Sequence, residues 1–173
     1  MSCALTQGYN LDCRDSVGGV KEVYISELEN ITAAPAASGT ITSITMTTGS
    51  QFRKYQLQPQ TASFEDAIQT NSANGTIFYE PSFSMTIRKL QASLRNEIRL
   101  LAQNKLAMIV LDRNGKYWAL GFTNGMELQN SKVMSGKGMG DFNGYELAFK
   151  GAEELPACEV TGSLIAALLQ PAS

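Results

Sequence analysis

From residue 106 to residue 128 the chain reads LAMIVLDRNGKYWALGFTNGMEL, an order of residues that few backbones accept. Residues 106–111 are a short apolar run with the length of a strand. Asp112-Arg113-Asn114-Gly115 follows, and Asn-Gly supplies the positive-φ residues that a tight hairpin needs. Residues 116–122 return, Thr123-Asn124-Gly125 turns again, and residues 126–129 start a third strand. The pattern predicts an antiparallel meander, and with it a mainly β fold.

The flanking segments extend this reading. Residues 20–25 begin a strand after the turn formers Gly18 and Gly19. Residues 30–39 (NITAAPAASG) read as a loop with little to bury, and the β-branched residues 40–48 as a strand with one wet face. Residues 51–87 read as a long hairpin, with Pro59 and Pro81 marking edges or bulges. From there Ile87, Leu90, Leu94, Ile98 and Leu101 recur at helical spacing, predicting one amphipathic helix over about 87–104, started near Thr86. Arg88, Lys89, Arg95, Arg99 and Lys105 lie mostly off that stripe, as a solvated face would. Residues 131–140 read as a glycine-rich loop, and Tyr145–Lys150 as a last strong strand. The predicted architecture is one domain over 1–173, an antiparallel β-sandwich or barrel with one flanking α-helix. An N-terminal arm (about 1–19) and a C-terminal extension (about 156–173) complete it.

Composition narrows the chemistry. The chain has no histidine, which removes Ser–His–Asp and Cys–His nucleophilic arrangements. Cys3, Cys13 and Cys158 match no metal-ligand spacing, and the odd count predicts reduced thiols packed as small hydrophobes. Gly136-Lys137-Gly138-Met139-Gly140 fails both common phosphate-loop patterns. Glu65-Asp66 and Glu153-Glu154 read as solvated charges, and Trp118 as a core anchor. No catalytic, cofactor-binding or metal-ligating residue is expected, and the chain reads as a non-enzyme. Lys plus Arg number 14 against 16 Asp plus Glu, which argues against a protein that grips nucleic acid. Charged residues make up 17% of the chain, below the usual ~25%, as suits faces buried against copies of the same chain. The longest apolar runs are too short to span a bilayer, and no signal-peptide core follows Met1, so synthesis in the host cytoplasm is expected.

The chain resembles tailed-bacteriophage virion proteins, especially the tail-tube class. The resemblance rests on LTQGYNLDCRDSVGGVKEVYI (5–25), LLAQNKLAMIVLDRNGKYWALGFTNGMEL (100–128) and GDFNGYELAFKGAEELPACEV (140–160). It implies a virion component forming stacked homo-oligomeric rings, hexamers by family habit, through which DNA passes without specific binding. Sheath, terminator, baseplate or neck proteins are the further partners it implies. Alternatives from the same β-class are a head–tail connector, a tail terminator or completion protein, or a capsid decoration protein. A small-ligand-binding β protein is the alternative outside it. On the tube reading, the hairpin tip Asn71, Ser72, Ala73, Asn74 and Gly75 is the candidate inter-subunit contact. Residues 1–50 carry only Arg14 and Lys21 against Asp12, Asp15, Glu22, Glu27 and Glu29. Glu22, Glu27, Thr40, Thr42, Thr45 and Thr47 are accordingly the candidate lining of a lumen.

Overall fold

A computed structural model describes residues 3–169. The first third holds β1 (Val20–Glu27), a 3-10 turn (Leu28–Asn30), and the short strands β2 (Ile31–Ala33), β3 (Ala36–Ala37), β4 (Thr40–Ile41) and β5 (Thr45–Met46). β6 (Arg53–Gln56), β7 (Ala62–Asn71) and β8 (Thr76–Arg88) lead to helix α1 (Ala92–Gln103). β9 (Leu106–Asp112), β10 (Tyr117–Leu120), β11 (Met126–Met134), β12 (Gly144–Gly151), β13 (Cys158–Val160) and the short α2 (Ile165–Leu168) follow.

Eleven strands form one mixed sheet, bent into two halves. The first half runs β6-β1-β9-β10-β13-β4-β3, and the second runs β11-β12-β8-β7. They join at the single pair Met126↔Leu106, where the chain leaves β10 and crosses to the second half as β11. All ladders are antiparallel except β13 with β4. Among the described residues no ladder joins β6 to β7, so the sandwich does not close into a barrel.

β9 is the spine. Six consecutive residues from Leu106 to Leu111 are buried, which an alternating half-exposed strand never shows. Leu106, Met108 and Val110 face the second half-sheet and pack with Val23, Ile25, Phe83, Met85, Leu147 and Phe149. Ile109 and Leu111 face the other way, into a second core with Tyr24, Ile41, Phe52, Val160 and Ile165. The meander turn is held by one side chain. Asp112 Oδ1 accepts from the Asn114 and Lys116 amides, both at 2.9 Å, and its Oδ2 accepts from the Trp118 indole at 3.2 Å.

Several expectations are corrected here. The helix starts at Ala92 with Gln91 as its cap, because Ile87 is still paired with Tyr145 in the β8–β12 ladder. Lys89, at φ 67°, breaks the strand, and Leu90 is exposed. Leu94, Ile98 and Leu101 do pack on the sheet. The hairpin is residues 62–88, since β6 pairs with β1 instead of extending it. Residues 30–48 are neither loose nor one strand. They are short strands and their connections, from which Ile31, Ala34, Ile41, Ile44 and Met46 roof the second core. Residues 131–134 belong to β11, which tolerates a bulge between Gln129 and Lys132. Trp118 is half-buried, its ring tilted at 36° to Phe64 with the centroids 6.5 Å apart.

Candidate functional site

The hairpin outreaches its body. From Met85 to Ser82, β8 lies between β7 and β12; beyond Ser82 the β12 ladder ends. Pro81 sits at that step, where a missing N–H breaks no ladder. Outward of it, β8 has β7 on one side and the isolated Tyr79–Glu153 bridge on the other. The alternation nonetheless continues. Phe64↔Phe83 and Ala62↔Met85 face the core, and on the same face follow Ile68↔Tyr79 and Thr70↔Ile77. Ile68 is 64% exposed and Ile77 57%. Phe78 is exposed on the opposite face beside Gln69.

At the tip, Asn71 Oδ1 accepts from the Ala73 amide at 3.1 Å and the Asn74 amide at 3.2 Å. Gly75 closes the turn at φ 66°. Asn71, Ser72, Ala73, Asn74 and Gly75, the candidate inter-subunit contact, are all exposed. The outer edge of β7 is ten residues long, and among the described strands only β8 pairs with it.

The six lumen candidates do not share one surface. Glu22 pairs in register with Leu111 and Glu27 with Leu106, which point to opposite cores, so the two carboxylates sit on opposite faces of β1. Glu22 is tied to Lys54 Nζ at 3.1 Å and accepts from the Tyr24 hydroxyl at 2.5 Å. Partial burial pushes its carboxyl up, but Tyr24 and Lys54 together hold it below the ordinary value. Tyr24 is correspondingly raised, by burial first and by the Glu22 carboxylate second. Glu27 accepts from the Asn30 side-chain amide at 2.8 Å. Thr40 pairs beside Glu159 within the sheet. Thr42, Thr45 and Thr47 are exposed, while Ile41, Ile44 and Met46 turn inward.

Sequence reading missed a cavity of about 260 Å³ between the hairpin and the end of β10, lined by Pro81, Leu120, Phe122, Ala157, Cys158 and the carboxylate-bearing Asp66. Asp66 Oδ2 accepts from the Ala157 amide at 2.7 Å. Its Oδ1 is shielded from water and has no hydrogen-bond partner among the described residues. An acceptor so placed costs about 1–3 kcal/mol. Glu153, also on the wall, is 8% exposed rather than solvated, and its Oε1 accepts from the Asn124 amide at 2.9 Å. Asp66 and Glu153 look like surface charges in the sequence because nothing local shows that residues 66, 120 and 157 meet.

The glycine-rich loop offers no phosphate cradle. Asp141 Oδ2 already accepts from the Gly138 amide at 2.7 Å and the Lys137 amide at 2.9 Å. Those two backbone bonds hold its carboxyl below the ordinary carboxylate value. All three cysteines are free thiols, but only Cys158 is packed, and burial pushes its thiol up. Cys3 and Cys13 are exposed, in an arm where Leu5, Tyr9 and Leu11 are 85–98% exposed. That arm is moored at its base, where Asn114 accepts from the Val17 amide at 2.9 Å and donates to its carbonyl at 3.0 Å. Among the described residues no three His, Cys, Asp or Glu gather as metal ligands, and no helix is long and apolar enough to cross a membrane. Comparison with profiles of known families, with curated proteins and with solved structures returned no match to this chain.

Proposed function

We propose that this chain is a structural virion protein of the tail-tube kind, which closes into rings of identical subunits that stack. The observation that carries the reading is the hairpin of residues 62–88. It keeps an apolar face, Ile68 and Ile77, beyond the end of its own core, beside a ten-residue open strand edge. A lone protein gains nothing from an unmatched edge and an uncovered apolar face, and both invite pairing with another chain. Neighbouring copies supply that cover when sheets join edge to edge, and ring closure followed by stacking leaves no copy's hairpin bare. Thr42, Thr45 and Thr47 present uncharged hydroxyls, the kind of wall along which DNA slides without counterion release.

Electron microscopy of the purified protein tests this reading, alongside a variant in which Asn71 to Asn74 are replaced by a two-residue turn. Stacked rings or tubes from the parent, and isolated rings or monomers from the folded variant, are the expected result. Closed rings from both would instead fit a neck, terminator or decoration component. Monomers at every concentration would refute assembly altogether.

A further inference from the structure

The cavity beside Asp66 and the N-terminal arm lack what each other has. The cavity is apolar along Pro81, Leu120, Phe122 and Ala157, with one carboxylate oxygen that lacks a donor. The arm carries Leu5, Tyr9 and Leu11 almost wholly in solvent, and Tyr9 couples an apolar ring to a hydroxyl donor. Residues 3–11 (CALTQGYNL) bear no charged side chain, so no like charge opposes their approach to Asp66 and Glu153.

We propose that the cavity receives the N-terminal arm of a second copy, with Tyr9 seated among the apolar wall residues and its hydroxyl donating to Asp66. Because Oδ1 is closed to water in the protomer, seating the hydroxyl requires Asp66 to turn about χ2. The arm is moored at Val17, eight residues from Tyr9, which gives a reach of about 26 Å in extended form. Its own body leaves Tyr9 85% exposed, so the ring finds no seat there. The inference rests on the assembly reading, since it needs a neighbouring copy, and it names the contact that links the copies.

The native Cys158 on the cavity wall makes the test direct. In the full chain, Cys3 and Cys13 are changed to Ser and Asn10→Cys is introduced beside the retained Tyr9; tagged and untagged copies are mixed and mildly oxidised. The expected result is a disulfide joining tagged to untagged chains, mapped by peptide mass to positions 10 and 158. The same oxidation of a Thr6→Cys variant should give several-fold less linkage. In the unmodified background, Tyr9→Phe and Asp66→Asn should each raise the concentration needed for assembly about tenfold, with unchanged thermal unfolding of the protomer. Linkage within one chain overturns the second-copy occupant. Rings or tubes without linkage overturn the arm contact and leave the assembly reading standing, whereas monomers without linkage end both. Native mass spectrometry showing one small molecule per chain, lost in Asp66→Asn, would give the cavity to a ligand and overturn the proposal.

Discussion

Replacing Ile68 and Ile77 together by Thr separates folding from assembly. Thr keeps the β-branch and the strand preference of Ile, so the hairpin's local conformation is retained. The two side chains are 64% and 57% exposed in the protomer, so the fold itself loses little. Surface changes of this sort usually stay within about 0.5 kcal/mol. Fully burying an Ile is worth roughly 1.5–3 kcal/mol, and somewhat more than half of each side chain remains to be covered. On the proposed assembly the pair would carry roughly 2–4 kcal/mol per hairpin contact, or a factor of about 30 to 700 in that contact's equilibrium constant. Mass photometry across a concentration series reads the assembly threshold, and thermal unfolding monitored by circular dichroism reads the protomer. The expected result is an unfolding temperature within about two degrees of the parent and an assembly threshold raised at least tenfold. An unchanged threshold in a folded variant would refute the contact. A large loss of protomer stability would show that the overhang belongs to the core after all.

Other expectations follow from single side chains. Leu101, 5% exposed, should cost about 2–5 kcal/mol as Leu101→Ala in chemical denaturation, and half-buried Leu94→Ala clearly less. Asp112→Ala strips three donors of their acceptor and should cost about 1–3 kcal/mol, with the Trp118 fluorescence maximum shifting to the red. The Glu22 carboxyl is held below its ordinary value in the folded chain, so its contribution is present above that value and lost as pH falls through the folded one. Acid titration of stability should therefore lose that component in Glu22→Gln, and a curve identical to the parent's would contradict it.

What the sequence disclosed was what is locally encoded. The turn at 112–115 is written in adjacent residues, where Asp112 accepts from the Asn114 and Lys116 amides. The hairpin tip is equally local, since Asn71 satisfies its own neighbours. The helix start misled because Ile87 and Leu90 happen to fall in step with Leu94 and Ile98. Pairing of Ile87 with Tyr145, 58 positions away, outweighs that periodicity. Residues 30–48 misled because Thr and Ser are as many there as the apolar residues, half of which are Ala, and only the bare second face of β9 gives the larger ones a purpose. The Asp66 cavity was illegible because three remote segments build it.

The distribution of apolar surface separates two jobs within the chain. β9 is buried on both faces, and the side chains that cover it come from β1, β8, β12, the 30–48 segment and the C-terminal turn. The body therefore covers its central strand with its own side chains, and leaves only scattered residues such as Leu100, Val133, Met139 and Leu155 exposed. The arm does not, with Leu5, Tyr9 and Leu11 bare, and neither does the outer hairpin, with Ile68, Ile77 and Phe78. A two-stranded ribbon standing alone is marginal in water, and apolar alternation along it is unfavourable unless something covers it. Such alternation makes physical sense in register with the core strands if another chain extends the core there. Destabilising the body and disabling assembly should then be separable: β9 substitutions lower the unfolding temperature and the assembly yield together. Arm and hairpin substitutions lower the yield alone.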